Sequence, residues 1–370
     1  MSELESLFLI VLVIYLVQCI YWVAPGAAVF ALSFRGRGKR KQSGFVWQAL
    51  KTEGFLAWPL PPLTPLAVAV WPAFELNPEG VAFRSRNGEW TTVPWDRLTM
   101  SRSESRLRSN GAVILHASET QVFNTSVVLE RLRSAEKTSR CAMIQRWLGK
   151  AMRDLTASRR VRLFAGRSRF LRILAQVQLV FLFVAAPLAF AWLGPRVLWR
   201  VALFLLAMQA LIALEFWTVH KQLFRHATSA RFKSTLTILL SPLAAIRGCD
   251  LLARDLFSGC HPLAVAGAVL PTADFAHFAG EELRQWRFGD HPDVWYQETM
   301  AKLLNQAIRR AGTRPETLLR PAERESGCVV YCPRCLSQYV KDAAGCTDCG
   351  FGNLVPFGGR AAPQKQTQRQ

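Results

Sequence analysis

Residues 170–193 read FLRILAQVQLVFLFVAAPLAFAWL, and residues 197–219 read VLWRVALFLLAMQALIALEFWTV. Each run is long enough for one helix to cross the hydrocarbon core of a bilayer, which takes about 20 predominantly apolar residues. Only Gly194, Pro195 and Arg196 separate the two runs. We therefore expect a transmembrane hairpin over residues 168–219, with a short turn between two antiparallel helices.

A third apolar run lies near the N-terminus. Residues 7–24 read LFLIVLVIYLVQCIYWVA without a charged residue, which predicts one more membrane helix. A cleaved signal peptide begins with a basic region, whereas residues 1–6 hold two glutamates and neither lysine nor arginine. The run is therefore predicted to be an uncleaved anchor, within an N-terminal anchor segment of residues 1–33.

Basic clusters flank all three runs and predict their orientation. RGRGKRK at 35–41 follows the first run, SRRVRLFAGRSR at 158–169 precedes the second, and HKQLFRHATSARFK at 220–233 follows the third. Such clusters tend to stay in the cytoplasm. We predict a multi-pass protein of the cell inner membrane, with its N-terminus outside and with its C-terminus and soluble domains in the cytoplasm.

The excess of basic residues also indicates a partner. Lys and Arg outnumber Asp and Glu by 46 to 26, which gives a formal charge of +20 and suits either nucleic acid or an anionic inner leaflet. The basic clusters adjoin the apolar runs, and the sequence carries no RNA-binding signature, so membrane lipids are favoured over nucleic acid. The predicted lipid-binding residues are Arg35, Arg37, Lys39, Arg40 and Lys41.

In residues 66–155 the long apolar runs give way to short strand-like runs, which predict a small β-rich domain. Short runs rich in Val, Phe, Trp and Thr alternate with the turn signals Asn77-Pro78-Glu79-Gly80, Asn87-Gly88 and Asn110-Gly111. A stretch compatible with a helix, 126–155, closes the segment. The preceding residues, 34–65, are interpreted as a basic and Pro-rich linker.

The order of short strands followed by one helix resembles a pleckstrin-homology-like (PH-like) barrel of the bacterial YcxB type. The matching positions are Leu76 with Gly80, then Trp95-Asp96-Arg97-Leu98, then AVILHA and VVLERL. The resemblance covers about a quarter of the chain. Eukaryotic relatives of such barrels bind phosphoinositides through basic loops, whereas the bacterial members have no established ligand, so contact with anionic headgroups and solvated strand faces are both open. The candidate side chains are Arg84, Arg86, Arg97, Arg102, Arg106 and Arg108.

Beyond the hairpin, residues 234–312 are predicted to form a helical region. The apolar segments 237–245 and 262–270 are too short to span a bilayer, so they are interfacial helices, re-entrant helices or the core of a small helical domain. Two helices are expected within 274–312, with a break at Gly289-Asp290-His291-Pro292, where turn formation and capping are the default roles of Asp290, His291 and Asp293. Residues 313–327 are interpreted as a linker, and 358–370 as a disordered tail.

Four cysteines in residues 328–357 have the spacing of a metal site. Cys332-Pro-Arg-Cys335 and Cys346-Thr-Asp-Cys349 stand ten residues apart, and two such turns supply a tetrahedral set of four thiolates. This pattern resembles the zinc-ribbon family and implies a structural zinc, with rubredoxin-like iron and a dithiol redox pair as the alternatives. Cys328 is interpreted as a spare thiol, and buried thiols are favoured over a second metal site for Cys249, Cys260 and His261.

The sequence holds none of the common catalytic motifs, such as G-x-S-x-G, a P-loop, G-x-G-x-x-G or H-E-x-x-H, so we do not expect an enzyme. The leading hypothesis is a membrane-anchored adaptor that displays its zinc ribbon to a protein partner. The alternative is a transport or envelope-assembly component with re-entrant segments, and ribbon-mediated contact with nucleic acid is a weaker third. The whole chain resembles multi-span bacterial membrane proteins that end in a zinc ribbon, a group with no established activity.

Overall fold

Apolar helices and small antiparallel sheets make up two units in a computed structural model of the chain. The structure describes residues 3–23, 27–32, 46–48, 55–57, 66–71, 74–84, 90–101, 106–109, 112–116, 125–153, 155–223, 228–257, 260–340 and 344–358. The first unit combines residues 1–71 with 153–269, and the second combines residues 72–152 with 270–370. Elements are numbered along the chain.

The first unit begins with α1 (Glu3–Gln18) and continues into strands. β1 (Tyr21–Val23) pairs with β4 (Phe55–Ala57), and β2 (Ala27–Ala31) lies between β3 (Val46–Gln48) and β5 (Leu66–Val70). All of these pairs are antiparallel. β5, which the sequence groups with the β-rich domain, therefore pairs within the first unit.

The predicted first span differs from the structure, because the helix ends at Gln18 and does not run unbroken to residue 24. Tyr21, Trp22 and Val23 are β-branched or aromatic residues that favour strands, and they find a partner strand at Phe55–Ala57. A helix of 16 residues is about 24 Å long, shorter than the roughly 30 Å hydrocarbon core. Three spans are therefore not confirmed.

Within the described residues, two helices are long and apolar enough to cross a membrane: Ala157–Leu193, with 37 residues, and Leu198–Leu223, with 26. The first covers α4 (Leu155–Val180) from Ala157 onward, a π-helical segment (Phe181–Ala185) and α5 (Ala186–Leu193). A 3₁₀ turn at Pro195–Val197 leads to α6 (Leu198–Leu223). Pro187 explains the π-helical segment, since its ring lacks an N–H and clashes with the carbonyl four residues earlier.

After α6, the described residues of the first unit form four further helices: α7 (Thr228–Leu240), α8 (Pro242–Ile246), α9 (Gly248–Phe257) and α10 (Pro262–Val269). α10 packs against α4, β2 and β5, and six of its eight residues, Pro262 to Ala266 and Val269, are buried. Protein therefore covers the apolar segment 262–270. Of the three arrangements that the sequence left open for it, this burial favours the core of a small helical domain.

The second unit holds two antiparallel meanders. β6 (Phe74–Leu76), β7 (Gly80–Arg84) and β8 (Trp90–Pro94) form one sheet, and β9 (Leu98–Ser101), β10 (Arg106–Ser109) and β11 (Ala112–His116) form the other. A 3₁₀ turn at Trp95–Arg97 joins the two sheets. The expected closing helix is divided into α2 (Thr125–Ser134) and α3 (Lys137–Ala151).

The residues that carry the PH-like resemblance pack together. The buried Trp95 donates its indole N–H to the Asn77 carbonyl at 2.9 Å. Arg140 of α3 donates to the Leu132 carbonyl at 2.7 Å and to the Pro78 carbonyl at 3.1 Å. A Cβ on Gly80 would lie 2.1 Å from the Val93 carbonyl oxygen, so this turn requires glycine. The small antiparallel sheets and the helical segment after them are confirmed, although two helices replace the one expected, whereas a PH-like barrel is not confirmed.

The C-terminal half of the second unit forms a helical pair and a ribbon. α11 (Thr272–Phe288) and α12 (Val294–Arg310) pack on each other, and the short α13 (Pro315–Leu318) packs on both. β12 (Val330–Tyr331) lies between β13 (Gln338–Tyr339) and β14 (Val355–Pro356). The two predicted helices are confirmed, and the predicted linker is partly ordered, since Pro315 and Leu319 are buried.

Candidate metal centre

The four predicted ligands lie on two loops of the ribbon sheet. Cys332 and Cys335 lie in the connection between β12 and β13, and Cys346 and Cys349 lie between β13 and β14. Both outer strands pair with β12, which brings the two loops to the same end of the sheet. A C-x-x-C pattern determines only a local turn, so the strand pairing is what assembles the site.

The two loops have the same backbone geometry. In the first, Leu336 N–H donates to the Cys332 carbonyl at 2.8 Å, and Cys332 N–H donates to the Ser337 carbonyl at 2.9 Å. In the second, Gly350 N–H donates to the Cys346 carbonyl at 3.0 Å, and Cys346 N–H donates to the Phe351 carbonyl at 2.8 Å. The residue after each second cysteine has a positive φ, 68° at Leu336 and 72° at Gly350. Each loop thus points both of its thiols to one side.

The distances between the sulfur atoms fit a metal and not a disulfide. The four Sγ atoms lie within 4.8 Å of one another, with 3.5 Å between Cys332 and Cys349 and 3.4 Å between Cys335 and Cys346. A disulfide would bring two sulfurs to about 2.05 Å. Four thiolates around a zinc ion, each about 2.3 Å from it, would be separated by about 3.8 Å. The four cysteines therefore form a cluster that can hold a metal ion.

Two hydroxyl groups support the thiols. Tyr339 Oη lies 3.0 Å from Cys346 Sγ, and Ser337 Oγ lies 3.1 Å from Cys335 Sγ. Burial raises the pKa of Cys346, but the hydrogen bond from Tyr339, together with backbone N–H groups of the loop, lowers that pKa to about 6. Burial raises the pKa of Cys332 above its ordinary value. Because metals bind thiolates, hydrogen bonds of this kind favour the ligand form.

The ribbon is attached to the helical pair by aromatic and polar contacts. The buried Phe351 packs edge-on against Phe288, at the end of α11, with ring centroids 5.8 Å apart. Arg334, inside the first loop, donates to Gln285 Oε1 at 3.4 Å. Within the ribbon, the fully buried Tyr331 packs on Phe357 with ring centroids 5.2 Å apart. Contacts with α11, as well as the ribbon sheet itself, therefore position the two loops that carry the cysteines.

The other cysteines and His261 do not join a metal cluster in the described part of the chain. Cys249 and Cys260 are buried thiols, as the sequence favours, and Arg160 donates to Cys260 Sγ at 3.0 Å. His261 packs edge-on against Trp71, and Leu263 N–H donates to its Nδ1 at 3.3 Å. Burial lowers the pKa of His261 to about 3, so the ring is neutral and structural. Cys328 is buried and lies outside the cluster.

Sequence reasoning missed the partner of His291. Its Nε2 lies 2.8 Å from the carboxylate of Glu75, which is 216 residues away along the chain, and the two side chains are only 10% and 9% exposed. Asp293 caps α12, as predicted, by accepting a hydrogen bond from Tyr296 N–H at 2.9 Å. Trp90, Trp286 and Tyr296 surround the imidazole. The pair joins strand β6 to the turn between α11 and α12 within the second unit.

The predicted lipid-binding residues Arg35, Arg37, Lys39, Arg40 and Lys41 lie outside the described residues. Among the candidate arginines of the β-rich domain, the side chain of Arg97 is described, and it is exposed. The basic cluster at 158–169 lies on α4, ahead of its apolar part, and four of its arginines are exposed: Arg159, Arg162, Arg167 and Arg169.

Comparison with known proteins gives no relative: no protein-family model, no curated protein and no solved structure matches the chain.

The loop geometry predicts the effect of adding a side chain at Gly350. Gly350→Ala should weaken metal binding about fivefold, because a non-glycine residue at positive φ costs about 1 kcal/mol and folding of the loop is coupled to binding. No heavy atom lies within 4 Å of the added Cβ, so the cost comes from the backbone alone. Gly352→Ala is the matched control, since its Cβ also meets open space and its φ is not positive. Competition with a chelator measures both variants, and equal affinities would contradict the assigned strain.

Proposed function

We propose that this protein is a non-enzymatic membrane-anchored adaptor, which presents a zinc-bearing ribbon to a protein partner in the cytoplasm. The observation that carries the proposal is the cluster of Cys332, Cys335, Cys346 and Cys349 on a small sheet that packs against α11. In the same proposal, α1 inserts into the bilayer beside the two longer helices, and strands β6–β11 of the second unit form a PH-like domain.

The donor set supports a structural zinc ion. Four thiolates select zinc or iron among common metals, and zinc is the usual occupant of ribbons with this ligand spacing. A site in which four protein ligands complete a tetrahedron leaves no position for water or substrate. The metal would therefore hold the two loops together without performing chemistry.

Two exposed apolar side chains on the ribbon offer a docking position. Val329 precedes Val330 of β12, and Val340 follows Tyr339 of β13, the residue that pairs with Val330. Val329 N–H donates to the Tyr339 carbonyl at 2.8 Å. Val340 is 63% exposed and Val329 is 43% exposed. β13 is an outer strand of its sheet, so a partner could bind this edge by adding a strand and covering the two valines.

The membrane part supplies the anchor. Large apolar side chains along α4, α5 and α6, including Val180, Trp192, Leu203 and Leu214, are exposed, as expected of helices that face acyl chains. The exposed arginines of α4 precede its apolar part, which favours a cytoplasmic location for that end and contact with anionic lipid headgroups.

In-cell photo-crosslinking tests the adaptor role. A photoreactive amino acid in place of Val340 should crosslink one protein, and the same residue in place of the exposed Lys302 on α12 should not. The crosslink at position 340 should be lost when Val329→Asp places a charge in the docking position or when Cys332→Ser removes a metal ligand. Equal crosslinking from positions 340 and 302, or a crosslink that survives both substitutions, would contradict docking through the ribbon.

A further inference from the structure

α7 runs antiparallel to α6 along the membrane hairpin. Arg231, near the start of α7, lies over the ring of Trp217 at 5.2 Å. Eight residues further along α7, the Leu239 carbonyl accepts a hydrogen bond from Gln209 Nε2 at 3.3 Å. Trp217 and Gln209 are also eight residues apart, in the opposite direction, so the two helices stay in contact over about 12 Å.

The end of α7 lies beside the middle of a candidate span. Gln209 is eleven residues after Leu198 and fourteen residues before Leu223, the two ends of α6. At 1.5 Å per residue, these separations correspond to about 16 Å and 21 Å. If α6 crosses the bilayer, Leu239 and Leu240 therefore lie near its midplane.

The chain then turns back. Pro242, which has no N–H, interrupts the helix, and the hydroxyl of Ser241 caps the short α8 by accepting from Ala244 N–H at 3.3 Å. α8 packs on α4, α6 and α7, and α9 packs on α4. Residues 234–246 contain no charged side chain, whereas Arg231 and Lys233 precede them and Arg247 and Asp250 follow. An uncharged stretch of this length is too short to cross the bilayer as one helix, which takes about 20 residues, so the chain returns to the side from which it entered.

Side chains of both candidate spans satisfy carbonyl groups that a broken helix exposes. Gln209 of α6 donates to the Leu239 carbonyl, and Gln178 of α4 donates to the Pro242 carbonyl at 3.0 Å. Both glutamines are buried. Non-helical backbone at membrane depth is tolerated only where protein or water satisfies its polar groups, and this turn meets that condition.

The outer face of α7 is apolar. Phe232, Leu236, Leu239 and Leu240 are exposed, and Leu240 has the largest exposed fraction at 74%. This face adjoins α6, whose exposed side chains Leu203, Leu206, Leu211 and Leu214 are also apolar. On the other side of the turn, Leu243 and Ile246 of α8 are buried with Tyr15 and Cys19 of α1. Protein thus covers α8, and the outer face of α7 continues the lipid-facing surface of the hairpin.

We infer that residues 228–257 form a re-entrant hairpin, whose outer face on α7 contacts lipid acyl chains and whose turn at Ser241-Pro242 reaches the middle of the bilayer. The hairpin enters from the side that holds the C-terminal end of α6. The carbonyl contacts of Gln178 and Gln209 hold the turn in place between the two spans.

Depth-dependent fluorescence quenching of the full chain in liposomes tests this inference. A fluorescent amino acid replaces Leu240, Phe232 or, as a reference at mid-span depth, Leu211, and the lipids carry bromine at shallow or deep positions of their acyl chains. Position 240 should match position 211 and lie about 12 Å deeper than position 232, because eight helical residues separate the two α7 positions. Lys302 serves as the water-exposed control.

Two other outcomes would overturn the inference. Equal and shallow depths at 232 and 240 would place α7 flat on the interface. Quenching at 240 by aqueous iodide, with no dependence on brominated lipid, would place α7 in water. Neither outcome depends on the ribbon, so a failed crosslinking experiment and a failed quenching experiment are distinguishable.

Discussion

Cys346→Ser should abolish metal binding and unfold the ribbon, while leaving the two long apolar helices intact. The substitution replaces one of four thiolates with a hydroxyl that does not ionise near neutral pH, and it removes the contact of the thiol with Tyr339. Structural zinc sites contribute on the order of 10–16 kcal/mol to the folding of small zinc modules. The ribbon consists of three two-residue strands with few buried apolar side chains, so it has little else to keep it folded.

The measurement is the number of metal ions per purified chain, together with limited proteolysis of the ribbon at Arg334. The wild type should hold one ion per chain and resist cleavage, and the variant should hold none and be cleaved. Cys328→Ser is the matched control, because Cys328 is a buried cysteine of the same module that lies outside the cluster. Full metal content in the Cys346→Ser variant, or equal loss in the Cys328→Ser variant, would show that the ligands are assigned wrongly.

The sequence predicts well the features that depend on a short stretch of the chain. The spacing of Cys332, Cys335, Cys346 and Cys349 predicts two local turns, and pairing of nearby strands brings all four sulfurs together. The hairpin between Leu76 and Gly80 depends on four turn residues, and it forms with the expected strands. Two long apolar runs appear as the two helices that could cross a membrane.

The features that the sequence missed depend on partners far along the chain. Residues 7–24 look like one span until Tyr21–Val23 finds a partner strand at Phe55–Ala57. Gln178 and Gln209 look like isolated polar residues in apolar helices, and their role becomes visible only when the turn at Pro242 lies between them. Composition and periodicity describe one segment at a time, so they cannot identify such contacts.

The pairing of Glu75 with His291 is the contact in the second unit for which we expect the largest mutational effect outside the metal site. His291→Leu should lower the free energy of unfolding of the second unit by about 3–5 kcal/mol, since it leaves the carboxylate of Glu75 buried without its imidazolium. The double variant Glu75→Leu with His291→Leu should recover much of that loss, because well-packed apolar groups can replace a buried pair. Hydrogen exchange of the α12 amides measures the opening free energy in each variant.

The exposed pair of Lys137 with Glu79 is the matched control. Its side chains are 67% and 65% exposed, so solvent screens their attraction and Lys137→Ala should change the exchange of the second unit little. If Lys137→Ala and His291→Leu had equal effects, or if the double variant were less stable than His291→Leu, the buried pair would not be the source of the stability.

The same pair predicts how the stability depends on pH. Burial alone would lower the pKa of His291, but its hydrogen bond to Glu75 and the negative charge of that carboxylate raise the pKa above the ordinary value of 6.5. A raised pKa in the folded state means that the folded protein binds the proton more tightly than the unfolded chain does. The stabilisation is therefore fully present below pH 6.5 and is lost as the pH rises through the folded pKa of His291. The opening free energy of α12 should fall over that range in the wild type but not in the double variant, and parallel profiles would show that His291 is not the titrating group.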